Sequence, residues 1–157
     1  MTNRRDRSGV IAPPPLLTVL CIAAGLVIDH FTPLRFLPDD FRLRVIASGL
    51  VFIVAAAIQV AAISNFMRHQ MHPSPYKPTT GIMVDGIYRF SRNPIYIAFL
   101  LIAAGVAIAA NSAWVLLFTV VLFFLLRYGV IAREERYLQS KFGSTYDDYH
   151  RRVRRWI

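Results

Sequence analysis

The only two glutamates of the chain, Glu134 and Glu135, are adjacent and follow almost directly on a long apolar run. Arg127 lies seven residues before Glu134, nearly two helical turns, so a helix would place both side chains on one face. Arg127 is also the first charge after that run, and a charge at such depth usually faces a bundle interior, a cavity or the interface. The spacing therefore indicates a charged site at the end of a helix bundle. The alternative is that Arg127 extends to the membrane surface while the glutamates form surface ion pairs with Arg133 and Arg136.

A second group of polar residues lies in the segment 86–96. Asn93 followed by Pro94 is typical of a helix start, with Asn as N-cap and Pro in the first turn. The unpaired N–H groups at such a helix end can bind a carboxylate or another anion. The alternative is that Asn93 only caps the helix and that its neighbours meet lipid headgroups, as interfacial arginines and tyrosines commonly do. Those neighbours are Tyr88, Arg89, Arg92 and Tyr96.

The last residues form a basic, aromatic segment. Tyr146, Tyr149, Val153 and Trp156 recur at steps of three, four and three, which predicts an amphipathic helix lying on the membrane or on the protein core. Four arginines accompany them, at positions 151, 152, 154 and 155. Because apolar helices precede this cluster, we expect it to attract anionic lipid and not nucleic acid.

Other kinds of site find little support in the sequence. The four histidines, at positions 30, 69, 72 and 150, lack the spacing of a metal site, so no metal is expected. No nucleophile elbow, P-loop or dinucleotide-binding glycine pattern occurs. Cys21 is the only cysteine, which excludes a disulfide scaffold.

The composition predicts an all-α integral membrane protein. The chain has 157 residues, of which 55% are hydrophobic, and its mean hydropathy is +0.45 although its net charge is +9. These values exclude disorder and a large soluble α/β enzyme. Apolar stretches at residues 15–31 and 45–66, and a hairpin at 95–132 turning at Asn111 and Ser112, predict about four transmembrane helices. A cleaved signal peptide is the alternative for the first stretch, but no cleavage site follows it.

These stretches divide one domain, residues 1–157, into four parts. An N-terminal helix pair (10–66) precedes a cytosolic loop (67–94), and the hairpin (95–132) precedes a cytosolic tail (133–157) with an amphipathic helix. Within the loop, residues 71–80 are rich in proline, so we expect an extended conformation there.

The arginines and lysines predict the orientation of the chain in the membrane. Of 18 such residues, all except Arg35, Arg42 and Arg44 fall on one side of the four predicted spans. Because positive charge is enriched in cytoplasmic loops, both termini should be cytoplasmic in this multi-pass protein. The loop and the tail then share one face, and a site built from both would open there.

The second half of the chain resembles the isoprenylcysteine carboxyl methyltransferase and phospholipid methyltransferase family of integral membrane enzymes. The resemblance covers about residues 80–157, and its strength lies in the order of several weak motifs around a helical hairpin. Those motifs are Gly86-Ile87-Tyr88, Arg92-Asn93-Pro94-Ile95-Tyr96, Glu134-Glu135 with Leu138, and Phe142-Gly143 with Tyr146, Tyr149 and Val153.

The resemblance implies a methyl transfer from S-adenosylmethionine to a lipophilic acceptor that enters from the bilayer. It also implies a cofactor pocket between cytosolic loops and helix ends. Arg92 and Arg127 are then candidates for steering an anionic group of the acceptor. If the acceptor is an amine, the candidates for removing its proton are Tyr88, Glu134, Glu135 and water. The residues that match or adjoin the family's cofactor positions are Met83, Val84, Tyr88, Asn93, Pro94, Tyr96, Glu134 and Glu135.

The second half departs from the family pattern at two positions, and the short N-terminal half, which should shape the acceptor site, shows no match to the family, so the acceptor stays open. The family often has His where Asn93 stands and Gly where Ala98 stands, and Asn cannot serve where a titratable imidazole is needed. Carboxylate, thiol and lipid amine all remain as acceptors. The competing hypotheses are a non-enzymatic scaffold or lipid-binding protein and a sterol-type membrane reductase that binds a nicotinamide cofactor.

Overall fold

The structure, a computed structural model, describes residues 9–69 and 81–157, and the secondary structure of this part is entirely helical. This confirms the all-α prediction. A 3₁₀ turn at Gly86–Arg89 precedes the second half, in which a π-helical segment, Leu125–Ile131, joins two α-helices. The α-helices are α1 (Pro14–Phe31), α2 (Phe41–Arg68), α3 (Pro94–Ala110), α4 (Ala113–Phe124), α5 (Ala132–Phe142) and α6 (Ser144–Arg152).

Three helices of the described residues are long and apolar enough to cross a membrane. They are α1, α2 and the continuous helix Ala113–Phe142, which combines α4, the π-helical segment and α5. The apolar α3 has 17 residues, or about 26 Å at the α-helical rise, slightly less than a hydrocarbon core of about 30 Å. These helices support an integral membrane protein, whereas the presence of four membrane spans stays a prediction.

The helices pack in the spatial order α2, α3, α4, α1, so that neighbours along the bundle are in contact. Glycines allow two of these contacts to be close. A Cβ added at Gly25 of α1 would lie 2.7 Å from the Cα of Val115, and one at Gly105 of α3 would lie 2.6 Å from the Phe52 ring. The main apolar cluster lies where α1, α3 and α4 meet and includes the fully buried Leu122.

The hairpin turn is held by polar contacts. Asn111 adopts a left-handed conformation (φ 50°) that ends α3, and the Ser112 side chain caps α4 by accepting from the Val115 N–H. The Asn111 side chain also binds the loop between α1 and α2, accepting from the Leu37 N–H at 2.8 Å and donating to the Leu37 carbonyl at 3.0 Å. Arg35 donates to the Asn111 carbonyl at 3.2 Å. This end of the bundle is therefore closed by its own loops.

The tail differs from the sequence-based prediction. The helix after the hairpin does not end at Ala132 but continues to Phe142, where Gly143 takes a positive φ of 51° and breaks it. An amphipathic helix is present as α6, but it ends at Arg152, because Val153 is extended. The predicted continuation of its apolar face through Val153 and Trp156 is therefore wrong. We call the non-helical residues 153–157 the return segment.

Some of the predictions concern residues outside the described part of the chain. They are the basic residues Arg4, Arg5, Arg7 and Lys77, His72 of the metal-site argument, and the proline-rich loop at 71–80.

Candidate active site

The segment before α3 and the residues after the hairpin meet at one end of the bundle. The Tyr149 hydroxyl of α6 donates to the Tyr88 carbonyl at 2.9 Å. The Arg92 N–H donates to the Arg154 carbonyl of the return segment at 3.0 Å. Segments separated by about 60 positions in sequence thus come together through antiparallel helices, as expected if both lie on one face of the bundle.

The two glutamates have different partners. Glu134 accepts the Tyr96 hydroxyl on both carboxylate oxygens, at 2.8 and 2.9 Å. Glu135 binds two arginines: Arg155 in a bidentate arrangement at 3.0 and 2.6 Å, and Arg92 at 3.2 Å. The structure therefore separates a carboxylate held by a neutral phenol from one held by two cations.

Arg92 is the most buried arginine of this ion-pair cluster, with 7% of its side chain exposed. One Nη atom contacts Glu135, and the same atom donates to the Tyr146 hydroxyl at 3.4 Å. Its Nε is buried and has no hydrogen-bond partner among the described residues. A buried donor without an acceptor is costly, so a water or an anionic ligand that supplies an acceptor at this N–H would be stabilising.

Asn93 occupies the N-cap position of α3, as predicted, but its side chain makes no capping hydrogen bond. The side-chain amide instead donates to the Arg155 carbonyl at 2.9 Å. Its backbone N–H donates to the Ser91 hydroxyl at 3.1 Å. The expected capping contact is therefore wrong, because the return segment offers the amide another partner. Pro94, also predicted, is fully buried at the start of α3.

Two of the remaining predicted cofactor residues are buried against α2. Met83 and Tyr88 form an apolar cluster with Ala62, and the Tyr88 ring packs edge-on against Phe66 at a centroid distance of 5.6 Å. Val84, by contrast, is 43% exposed. The structure thus brings Met83 and Tyr88 into one wall beside the helix start and leaves Val84 at the surface.

Asn65 of α2 supports this wall, although the sequence analysis did not single it out. Its side-chain amide donates to the Asp85 carbonyl at 2.7 Å. Gly86 has a φ of +58°, and a Cβ there would overlap the Asn65 amide. A polar residue near the end of an apolar span was the available signal. Gly86 is therefore required both by its backbone conformation and by the close approach of Asn65.

Arg127 lies in the π-helical segment. Its guanidinium carbon is 5.5 Å from the centroid of the Tyr128 ring, and its buried Nε has no hydrogen-bond partner among residues 9–69 and 81–157. The prediction of one face shared with Glu134 assumed α-helical spacing throughout. The π-helical hydrogen-bond pattern changes the angle around the helix axis between Arg127 and Glu134, so α-helical spacing does not establish that they share a face.

Burial sets the protonation of the tyrosines around the site. It raises the pKa of Tyr146 to about 12, with a contribution from the nearby Glu135 carboxylate. It also raises the pKa of Tyr88 and of Tyr149 above the ordinary value of a phenol. The hydrogen bond from Arg155 to Glu135 raises the pKa of that guanidinium. At neutral pH the phenols are therefore neutral and Arg155 is charged.

The return segment contributes residues that the sequence analysis did not place in the site. Arg155 was counted with three other arginines as a lipid-attracting cluster, and nothing in the local sequence distinguishes it from them. Trp156 was assigned to a helix face, but its ring stacks on Phe123 of α4 with a centroid distance of 5.1 Å.

The region that contains most of this site matches a known family. The family model described as phospholipid methyltransferase matches residues 43–145, from the first turn of α2 to the start of α6. The chain belongs to the phospholipid methyltransferase family. The resemblance drawn from residues 80–157 is thereby confirmed, and the family's region also includes α2.

Individual relatives match shorter stretches of this family member. A protein-S-isoprenylcysteine O-methyltransferase of Schizosaccharomyces pombe is 40% identical over 75 residues, which are 46% of this chain and 30% of the relative. An uncharacterized protein of Haemophilus influenzae is 35% identical over 63 residues, 40% of this chain and 100% of the relative. The chain thus matches less than a third of the length of the yeast enzyme. No solved structure matches the chain.

Proposed function

We propose that this protein is an S-adenosylmethionine-dependent methyltransferase of the membrane that acts on a lipophilic acceptor entering from the bilayer. The observation that carries the proposal is the family match across residues 43–145, which contains the Tyr96–Glu134 pair and both Arg92 and Glu135. The acceptor stays open among a carboxylate of the isoprenylcysteine type, a thiol and a lipid amine.

The donor and acceptor groups of the site fit the proposed cofactor. S-adenosylmethionine would supply a methyl group already activated by its sulfonium, so that the transfer needs no metal. The Glu134 carboxylate suits the amino group or ribose of such a ligand. Arg92, which the sequence assigned to the anionic group of the acceptor, is proposed here to bind the cofactor's carboxylate through its unpartnered Nε. Met83 and Tyr88 offer an apolar wall beside them.

The residues of the chain would contribute mainly by positioning. Methyl transfer needs donor and acceptor in line, and a rigid arrangement of charged groups provides much of that effect. Tyr96 orients Glu134 through both carboxylate oxygens. Of the two glutamates, Glu134 is therefore the better candidate to face the ligand, and to take a proton if the acceptor is an amine, because Glu135 is already paired with two arginines.

Arg127 is proposed to meet the anionic part of the acceptor. Its position four residues after Phe123 places it in the apolar part of the continuous helix, and its Nε lacks an acceptor among the described residues. A guanidinium at that depth attracts an anionic headgroup or carboxylate. The orientation proposed with it has both termini and the site in the cytoplasm, as the distribution of arginine and lysine favours.

Calorimetric titration of the purified, detergent-solubilised protein with S-adenosylhomocysteine tests the proposal. We expect micromolar binding, and no binding of a nicotinamide dinucleotide titrated in parallel. Glu134→Gln should weaken the binding at least about tenfold, since it removes a charged hydrogen-bond acceptor. Asp148→Asn, an exposed acidic position on α6, serves as the matched control and should bind like the wild type.

Failure to bind by a folded wild-type sample would contradict the proposal. Binding of the nicotinamide dinucleotide instead would favour the reductase hypothesis, and binding of neither would favour the scaffold. If binding is found, transfer of a labelled methyl group to candidate lipids and prenylated thiols or acids identifies the acceptor.

A further inference from the structure

The return segment binds the start of α3 through its backbone. The Arg154 carbonyl accepts from the Arg92 N–H, and the Arg155 carbonyl accepts from the Asn93 side-chain amide. The Ser91 hydroxyl also donates to the Arg155 carbonyl, at 3.4 Å. As a result Ser91 and Asn93 are buried, although they lie in a non-helical stretch at the end of the bundle.

The side chain of Arg155 binds a second element, α5. Its Nε and Nη2 each contact a different oxygen of Glu135, at 3.0 and 2.6 Å. A two-point contact of this kind fixes the orientation of the carboxylate as well as its position. The Glu135 oxygen that accepts from Arg155 Nε also contacts Arg92 at 3.2 Å. Arg155 therefore fixes the position of the Glu135 carboxylate, with which Arg92 forms its ion pair.

Trp156 attaches the return segment to a third element, α4. Its ring stacks on Phe123 at an interplanar angle of 30° and packs against the main apolar cluster. Because it directly follows Arg155, this contact restricts the backbone from which the guanidinium extends. The three consecutive residues 154–156 thus connect the start of α3, α5 and α4.

The charges of the cluster add a second effect. Arg92 and Arg155 share the single carboxylate of Glu135, so these three groups together carry a net charge of +1 beside the buried Nε of Arg92. An excess positive charge in a poorly hydrated position favours an anionic ligand. Without Arg155, Arg92 and Glu135 would form a neutral pair, and the guanidinium would be free to move fully onto the carboxylate.

We infer that Arg155 is a positioning residue, which holds Glu135 and thereby keeps Arg92 oriented toward the anionic group of the ligand, with Trp156 as its anchor. The inference rests on the proposed function, because it concerns the same site. It assigns to the return segment a role in ligand binding, in place of the lipid attraction expected for its arginines.

The test compares S-adenosylhomocysteine affinity among arginine variants. Arg155→Gln should raise the Kd about tenfold or more, as expected when a charged hydrogen bond that orients a ligand-binding group is lost. Arg155→Lys keeps the charge without the two-point contact and should bind with intermediate affinity. Arg152→Gln is the matched control, because Arg152 lies outside the return segment and donates to the Asp148 carbonyl of its own helix, α6, so the Kd of this variant should not change.

Three further variants separate a positioning role of the return segment from a purely stabilising one. Trp156→Ala should raise the Kd in the same direction as Arg155→Gln, whereas Trp156→Phe keeps a stacking ring and should restore most of the affinity. The double variant Glu135→Gln with Arg155→Gln should raise the Kd no further than the single variant that binds more weakly, because Arg155 is proposed to act through Glu135. In assays of methyl transfer, KM for the cofactor should rise more than kcat falls.

The outcomes distinguish the two proposals. If the wild type does not bind the ligand, the proposed function fails. If the wild type binds and Arg155→Gln binds equally well, the positioning role is overturned while the proposed function stands. A lower thermal midpoint for Arg155→Gln with an unchanged Kd would also overturn it, since it would show a purely structural role.

Discussion

At the residue scale, two adjacent glutamates lie in different environments. Glu134 and Glu135 are adjacent in α5, yet one accepts only a phenol among the described contacts and the other is held between two guanidinium groups. Adjacent positions on a helix point about 100° apart, so they face different partners. Tyr96 reaches Glu134 from the first turn of α3, and Arg155 reaches Glu135 from the return segment.

Replacing Tyr96 by Phe tests the importance of the phenol. We expect the affinity for S-adenosylhomocysteine to fall about three- to tenfold, because Glu134 loses the donor that orients it. The measurement is calorimetric titration in detergent. Tyr128→Phe is the control, since that ring is 62% exposed. Equal affinities for both variants and the wild type would show that Tyr96 does not position Glu134 for the ligand.

At the element scale, the long helix Ala113–Phe142 carries both apolar packing and charge. Its π-helical segment contains Arg127 and Gly129, and π-helical turns occur often at functional sites. Residues 9–11 pack here: the Ile11 N–H donates to the Gly129 carbonyl at 3.3 Å, and Arg133 donates to the Gly9 carbonyl at 2.8 Å. The stretch before α1 therefore stabilises the helix from which Glu134 and Glu135 extend.

The packing of α1 on α4 depends on Gly25. In Gly25→Ala the new methyl group would lie 2.7 Å from the Cα of Val115, and backbone cannot move aside as a side chain can. We expect a loss of about 1–3 kcal/mol of stability, the usual cost of overpacking. Gly49→Ala in α2 is the control, because no atom lies within 4 Å of its new Cβ. Unfolding in mixed detergent should show a lower midpoint for the first variant only, and equal midpoints would contradict the close α1–α4 contact.

At the scale of the whole molecule, the two ends of the bundle differ. One end is closed by the loop between α1 and α2, whose backbone binds Asn111 and whose Arg35 pairs with Asp29 at 2.9 Å. The other end joins the start of α3, α5, α6 and the return segment into the charged site. The proposed cofactor and lipid acceptor would meet at this second end, where the charged site adjoins the apolar bundle.

The proposed orientation predicts which end a membrane-impermeant thiol reagent reaches. In a Cys21→Ser background, Arg151→Cys on α6 should be labelled in inside-out vesicles and not in intact cells. Arg42→Cys, at the start of α2, should show the reverse pattern, and each variant is the control for the other. Labelling of Arg151→Cys in intact cells would mean that the site faces away from the cytoplasm.

Several features followed from the sequence because their causes are local. Apolar runs predicted the membrane helices, since partition into the bilayer depends on side-chain composition. Asn93 with Pro94 indicated the start of α3, because the backbone restrictions of proline act within one turn. The order of motifs around the hairpin indicated the family.

Other features were decided by the tertiary structure alone. No local pattern separates Arg155 from Arg151, and only the path of the return segment brings one of them to Glu135. That path also turned the Asn93 amide away from capping, and it moved Trp156 from a predicted helix face onto Phe123. Pairs such as Arg92 with Arg154 lie about 60 positions apart, and their contact depends on how antiparallel helices bring distant segments to one end. Hydropathy and helix-end patterns determined the helices of this protein, whereas the partners of each charge in the site depended on the packing of those helices.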